Sequence, residues 1–278
     1  MLRAMQLLNQ KINSMKLISF LQSKMLYSLV LFAFIFLLNF KGQAQITSYQ
    51  YRHVPDNKVD EFIKRETTYW SKIAQKAIDA KKMTFWALFE KVGGYDLPNS
   101  SNFLFINTFP NIDSAFASKV FNTKAVFPNI PYSQIETGSF TTVTSQFFLH
   151  AEDWAEAAGV NPMKDFNYLV MNYHNSSDPS GFITTEKTVW KPFFQIAADK
   201  KQTAQVAWGN AIVLSPAGDN IKFNTVSYDL FRTLQDALLT PWDPAVVFPT
   251  EGLNQLDKIR LNRSGRTIYR IVKVVSAN

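Results

Sequence analysis

The feature that most constrains this fold is an internal echo: the second half of the sequence repeats landmarks of the first at a spacing of about 120 residues. Phe62, Glu66 and Trp70, set four apart, return as Phe182, Glu186 and Trp190. Trp86 returns as Trp208, Asn107-Thr108 as Asn224-Thr225, and Val126-Phe127-Pro128 as Val247-Phe248-Pro249. The order is the same in both halves and the offsets stay between 117 and 122. A recurrence of this period marks one structural unit used twice, predicted over residues 45–160 and 161–278. The drift in offset falls where a loop belongs, since the 93–101 stretch is longer than its counterpart at 214–220.

Hydrophobic periodicity assigns elements within each copy. Alternating segments at 46–54 and 168–174 read as first strands. Val59, Phe62, Ile63, Trp70, Ile73, Ala74 and Ala77 recur at three- and four-residue steps, an apolar helical stripe that Phe182, Val189, Trp190, Phe193 and Ile196 match in the second copy. Pro192 predicts a kink there. Strands at 83–92 and 204–214, then at 102–109 and 221–227, precede second helices at 112–120 and 228–239. Final strands fall at 140–149 and 267–275, with residues 151–165 as the join between copies. The order β-α-β-β-α-β is the ferredoxin-like one. A four-stranded sheet with both helices on one face leaves the other bare, and two copies stacked sheet to sheet would cover each other. The predicted class is therefore α+β: two tandem ferredoxin-like repeats packed sheet to sheet within one chain, an intramolecular pseudo-dimer.

The first 44 residues read differently. Met25 to Phe40 is a nearly unbroken apolar run, preceded by Lys16 and Lys24 and followed by Gly42-Gln43-Ala44. That is the pattern of a secretory signal peptide, with cleavage expected after Ala44 and no membrane attachment afterwards. The stretch before Met25 is long for the basic region of such a peptide, which leaves Met15 and Met25 as alternative starts of translation. The expected location is the periplasm or the medium. This segment also explains most of the net charge of +7: it holds five of the 29 basic residues and no acidic one, leaving 24 against 22. No basic face remains to argue for nucleic acid. The absence of cysteine excludes disulfides, thiolate metal sites and cysteine nucleophiles.

The run Phe182-x3-Glu186-x3-Trp190-Lys191-Pro192, with Trp208 in the next strand, resembles the dimeric α+β barrel superfamily, in particular its exported members. The resemblance spans about residues 46–278 in two copies. It implies a range of functions, including cofactor-free monooxygenases, muconolactone-type isomerases and haem-dependent enzymes, and selects none of them.

The sharpest chemical anomaly is Glu66 and its counterpart Glu186, each on the apolar stripe of its helix. A carboxylate there is costly unless paired, and burial would raise its pKa into the range of a general acid or base. The functional expectation is a pocket between helix and sheet in each copy, with this Glu inside and Trp70, Trp86, Trp190, Trp208, Asn107 and Asn224 around a small, largely apolar ligand. The bland alternative is a Glu bonded to a backbone group or an indole N–H, with the tryptophans simply filling a core. Three readings stay open: a ligand-binding protein, a cofactor-independent monooxygenase or isomerase using Glu66 or Glu186 as base, and a structural or interaction protein with solid cores. The three histidines, His53, His150 and His174, show no metal-ligand spacing. No metal or cofactor is expected.

Overall fold

Strand alternation sorts the side chains of β1 (Ile46–His53) to two opposite faces. Tyr49 and Tyr51 join a large core built almost wholly of strand residues, while Ser48, Gln50 and Arg52 face the other way. The computed structural model describes residues 45–277 apart from 94–99, 118–119, 162–163 and 219. The expected signal peptide and its cleavage point, and most of the 93–101 loop, lie outside the described residues.

Seven further strands follow: β2 (Phe85–Lys91), β3 (Phe103–Phe109), β4 (Thr142–Glu156), β5 (Tyr168–Ser176), β6 (Gln205–Ser215), β7 (Thr225–Phe231) and β8 (Arg260–Ser276). They close into one antiparallel barrel in the order β1-β3-β2-β8-β5-β7-β6-β4. This corrects the expectation of two ferredoxin-like sheets stacked face to face. Phe85–Lys91 hydrogen-bonds along β8, and Phe148–Glu156 along β6, so strands from both halves of the sequence share a single closed sheet. The physical reason is edge satisfaction. Two stacked sheets would present four strands with unpaired N–H and C=O groups, whereas closure leaves no edge. Residues 151–156, expected in a join between copies, are the part of β4 that makes one of these seams.

Helices lie against the outer face. The first runs over 59–79 as α1, and its counterpart over 179–199 as α5. Between them come the short α2 (Ile112–Phe116), α3 (Thr123–Val126) and α4 (Tyr132–Ile135). After β7 come α6 (Leu234–Leu239) and α7 (Thr250–Ile259). The expected helix at 228–239 is thus half strand: Tyr228 belongs to β7, and the helix begins only after Thr233, whose hydroxyl accepts from the Asp236 N–H. The expected helix at 112–120 likewise stops at Phe116. Pro192 does not explain the irregularity in α5. Both long helices contain a π turn at the same place, Glu66–Trp70 and Glu186–Trp190, and the first has no proline.

α1 packs its stripe on the barrel, whereas in α5 the expected stripe is corrected at its end: Ile196 is exposed and Phe194 is buried in its place. Phe62 is fully buried with its ring 4.7 Å from that of Phe103 and 6.0 Å from Phe105. In the lumen, Gly209 is required by close approach, because a Cβ there would lie 2.5 Å from the Tyr228 ring. Replacing Phe62 by Ala is expected to lower the unfolding free energy by about 3–5 kcal/mol in urea titrations. Val247, 87% exposed, should change it by no more than about 0.5 kcal/mol when replaced by Ala.

Candidate functional site

The outward side chains of the strands and the inward faces of the two long helices enclose two pockets. In the first, a cavity of about 260 Å³, β1 contributes Ser48, Gln50 and Arg52 and α1 contributes Glu66 and Trp70. The π turn that starts at Glu66 widens the helix there and carries the carboxyl inward, where it is 2% exposed. Glu66 Oε1 accepts a 2.8 Å hydrogen bond from the Thr137 hydroxyl, and Arg52 Nη1 donates to that same hydroxyl at 3.3 Å. Burial pushes the Glu66 pKa to about 7, against the opposing pull of Thr137 and Arg52. Trp70 spends its indole N–H on the Ile135 carbonyl at 3.0 Å. Trp86 is buried in the core under α1, and Asn107 lines the pocket with its Oδ1 buried and unbonded.

The second pocket is larger, about 580 Å³, and lies between α5, the outer faces of β5 and β7, and a cover from 240–256. Glu186 again begins a π turn and is buried at 5% exposure, accepting from Asn210 Nδ2 at 2.9 Å. Burial pushes its pKa to about 8; the Asn210 bond opposes this, and the nearby Asp229 charge adds to it. Asp229 is also buried and is raised to about 6, even though it accepts from Gln205 at 2.6 Å and Asn172 at 2.9 Å and feels Arg266. His174 Nε2 and Ser227 Oγ stand 3.2 Å apart in the same wall. Trp190 and Trp208 line the apolar side, with Trp242 and Phe248 closing over them. Two carboxyls that hold protons at different pH, beside indole surface, can bind and exchange a proton with one small molecule.

The structure thus brings Glu66, Trp70, Trp86 and Asn107 to one pocket, and Glu186, Trp190 and Trp208 to the other. It places Asn224 elsewhere. Asn224 bonds both the N–H and the C=O of Ser176, at 2.9 and 2.8 Å, clamping the end of β5. Asn102 makes the same two bonds to Val54 at the end of β1. Asn102 and Asn224 are therefore the equivalent pair, 122 apart, and the counterpart of Asn107 at that offset is Asp229. The 122-residue spacing already carried by Trp86 and Trp208 could have revealed this, and would also have set Arg52 against His174. Of the other histidines, His53 bonds the Ser100 carbonyl at 2.7 Å and His150 pairs with Glu152 at 2.8 Å. Among the described residues no three His, Asp or Glu side chains converge as a metal site, and no helix is long and apolar enough to cross a membrane.

No protein-family model matches the chain, and no curated protein does. Solved structures are similar in fold. An anthrone oxidase-like protein superimposes with a TM-score of 0.54 at 12% identity, over 86% of this chain and 95% of its own. A candidate monooxygenase of Lactobacillus acidophilus NCFM gives 0.54 at 10% identity, covering 84% and 97%. Another from Fusobacterium nucleatum gives 0.50 at 8% identity, covering 85% and 96%. At such identities the likeness is one of architecture.

The raised carboxyls fix the direction of a pH effect. An unfolded glutamate ionises near 4.5, whereas Glu186 in the fold keeps its proton up to about 8. Between those values the folded state binds more protons, so stability falls as pH rises, by about 1.4 kcal/mol per pH unit for each such group. Glu186→Gln has no proton to lose there. Its urea unfolding free energy should vary less steeply than that of wild type from about pH 5 to about pH 8, by a few kcal/mol in total. A variant as steep as wild type would show that Glu186 is not protonated in the fold.

Proposed function

We propose that this chain is an exported binding protein for a small molecule with a largely apolar, aromatic body and one polar group, held in the pocket between α5 and the barrel. The observation that carries this reading is the buried carboxyl of Glu186, which burial raises to about 8, lining a 580 Å³ cavity beside Trp190 and Trp208. That volume falls within the roughly 300–1,000 Å³ of most ligand pockets, and apolar walls with a few convergent polar groups are their usual make-up. The α1 pocket is smaller, and its carboxyl is engaged by Thr137 beside Arg52. It is the secondary site in this reading. The signal-like amino terminus supports export. The matched Asn102 and Asn224 clamps and the paired π turns support descent from a duplicated unit of the dimeric α+β barrel type.

A second reading is favoured by one observation, the pairing of Glu186 with Asp229. Near neutral pH the first carboxyl holds a proton while the second, raised only to about 6, is mostly ionised. In a cofactor-independent isomerase or monooxygenase, Asp229 would take a proton from the substrate and Glu186 would donate one. The general base would then be Asp229 rather than Glu186.

Native mass spectrometry and an absorption spectrum of the freshly purified protein test for a retained molecule. Tryptophan-fluorescence titration with 1-naphthol tests the pocket itself. Glu186→Leu should weaken 1-naphthol about tenfold, the worth of one hydrogen bond, and Glu186→Gln, which can still donate, should recover most of that loss. Equal affinity in wild type and Glu186→Leu would refute the assignment.

A further inference from the structure

The barrel lumen carries a feature that neither outer pocket uses. β1 and β5 sit four places apart in the ring of eight strands, on opposite walls. Tyr51 from β1 and Tyr173 from β5 nonetheless meet across the lumen, the Tyr51 hydroxyl donating to that of Tyr173 at 3.0 Å. Tyr269 from β8 brings a third hydroxyl to 3.5 Å from Tyr173. All three tyrosines are less than 9% exposed. Phenylalanine would pack as well in an apolar core, and a buried hydroxyl is costly without a partner. Three phenols carry three protons, and the two contacts among them use two. One O–H therefore remains to donate.

This hydroxyl cluster borders a cavity of about 580 Å³ at one end of the barrel. Phe147 and Phe223 form its apolar side, with ring centroids 4.6 Å apart, and the Tyr173 ring stands 4.9 Å from that of Phe223. Lys91 and Lys222 also line it, and among the described residues no acidic side chain does. Burial holds the phenols well above their ordinary pKa, so they stay protonated donors across the working pH range. Aromatic walls, a hydroxyl donor at the base and ammonium groups at the side match one ligand class: a flat ring bearing an anionic oxygen group.

We propose that this end of the lumen is a second binding site, separate from the pocket of Glu186, and that it takes a small aromatic carboxylate. The carboxylate accepts from the tyrosine cluster and is attracted by Lys91 and Lys222, while its ring packs against the wall formed by Phe147 and Phe223.

Calorimetric titration of the mature protein with benzoate, and separately with uncharged benzyl alcohol, tests this. Benzoate is expected to bind at least tenfold more tightly than benzyl alcohol. Tyr173→Phe, which keeps the ring, should weaken benzoate about tenfold and leave 1-naphthol binding unchanged, while Glu186→Leu should leave benzoate unchanged. Lys91→Gln should weaken benzoate and reduce its dependence on salt. If Tyr173→Phe does not fold, by circular dichroism and thermal melting, Tyr269→Phe reads the same loss. No benzoate binding to wild type, equal binding to the Phe variants, or displacement of benzoate by 1-naphthol would each overturn the proposal.

Discussion

The backbone seams between β2 and β8 and between β4 and β6 are the interactions on which the rest of the structure depends. They join strands more than fifty residues apart in sequence and convert what would be sheet edges into interior ladder. Closure gives the sheet a lumen and an outer surface, and so decides that each strand has two functional faces rather than one packed and one wet. The helices then add a second layer of burial on the outside, with Phe62 and Phe182 as the matching anchors.

Desolvation governs the chemistry of the outer pockets. Both helical glutamates are held at the same step of a π turn and both are raised, but their neighbours differ. Glu66 has a guanidinium nearby, which limits the rise, whereas at Glu186 the Asp229 carboxylate adds to the rise and outweighs the opposing Arg260. Two positions account for much of this: Arg52 against His174, and Asn107 against Asp229. Equivalent scaffolds with unequal charge are suited to unequal tasks.

Much of this was legible in the sequence, and what was not has a physical explanation. The helical stripe, the paired glutamates and the tryptophans follow from local periodicity, so their positions could be read directly. The seams could not, because edge-to-edge pairing between distant strands leaves no local pattern. Residues 151–156, rich in Ala and Glu, carry no strand propensity that would announce their part in β4; pairing with β6 imposes it. Asp229 was hidden by a misplaced boundary: Tyr228, Leu230 and Phe231 look helical beside Leu234, and only the Thr233 cap marks where the helix begins. The Asn107 and Asn224 equivalence failed because two Asn-Thr pairs at an offset of 117 obscured the true strand offset of 122.

The strict alternation along β5 has a consequence for how this protein can change over generations. Met171 and Tyr173 serve the lumen, while Asn172 and His174 serve the outer pocket. Point substitutions can therefore retune either chamber while the other keeps its lining. Loss or gain of a single codon within the strand would exchange the two linings at once, putting tyrosine under the helix and histidine in the lumen. Such a lineage is free to diverge by replacement and barred from diverging by small insertions, except in the loops.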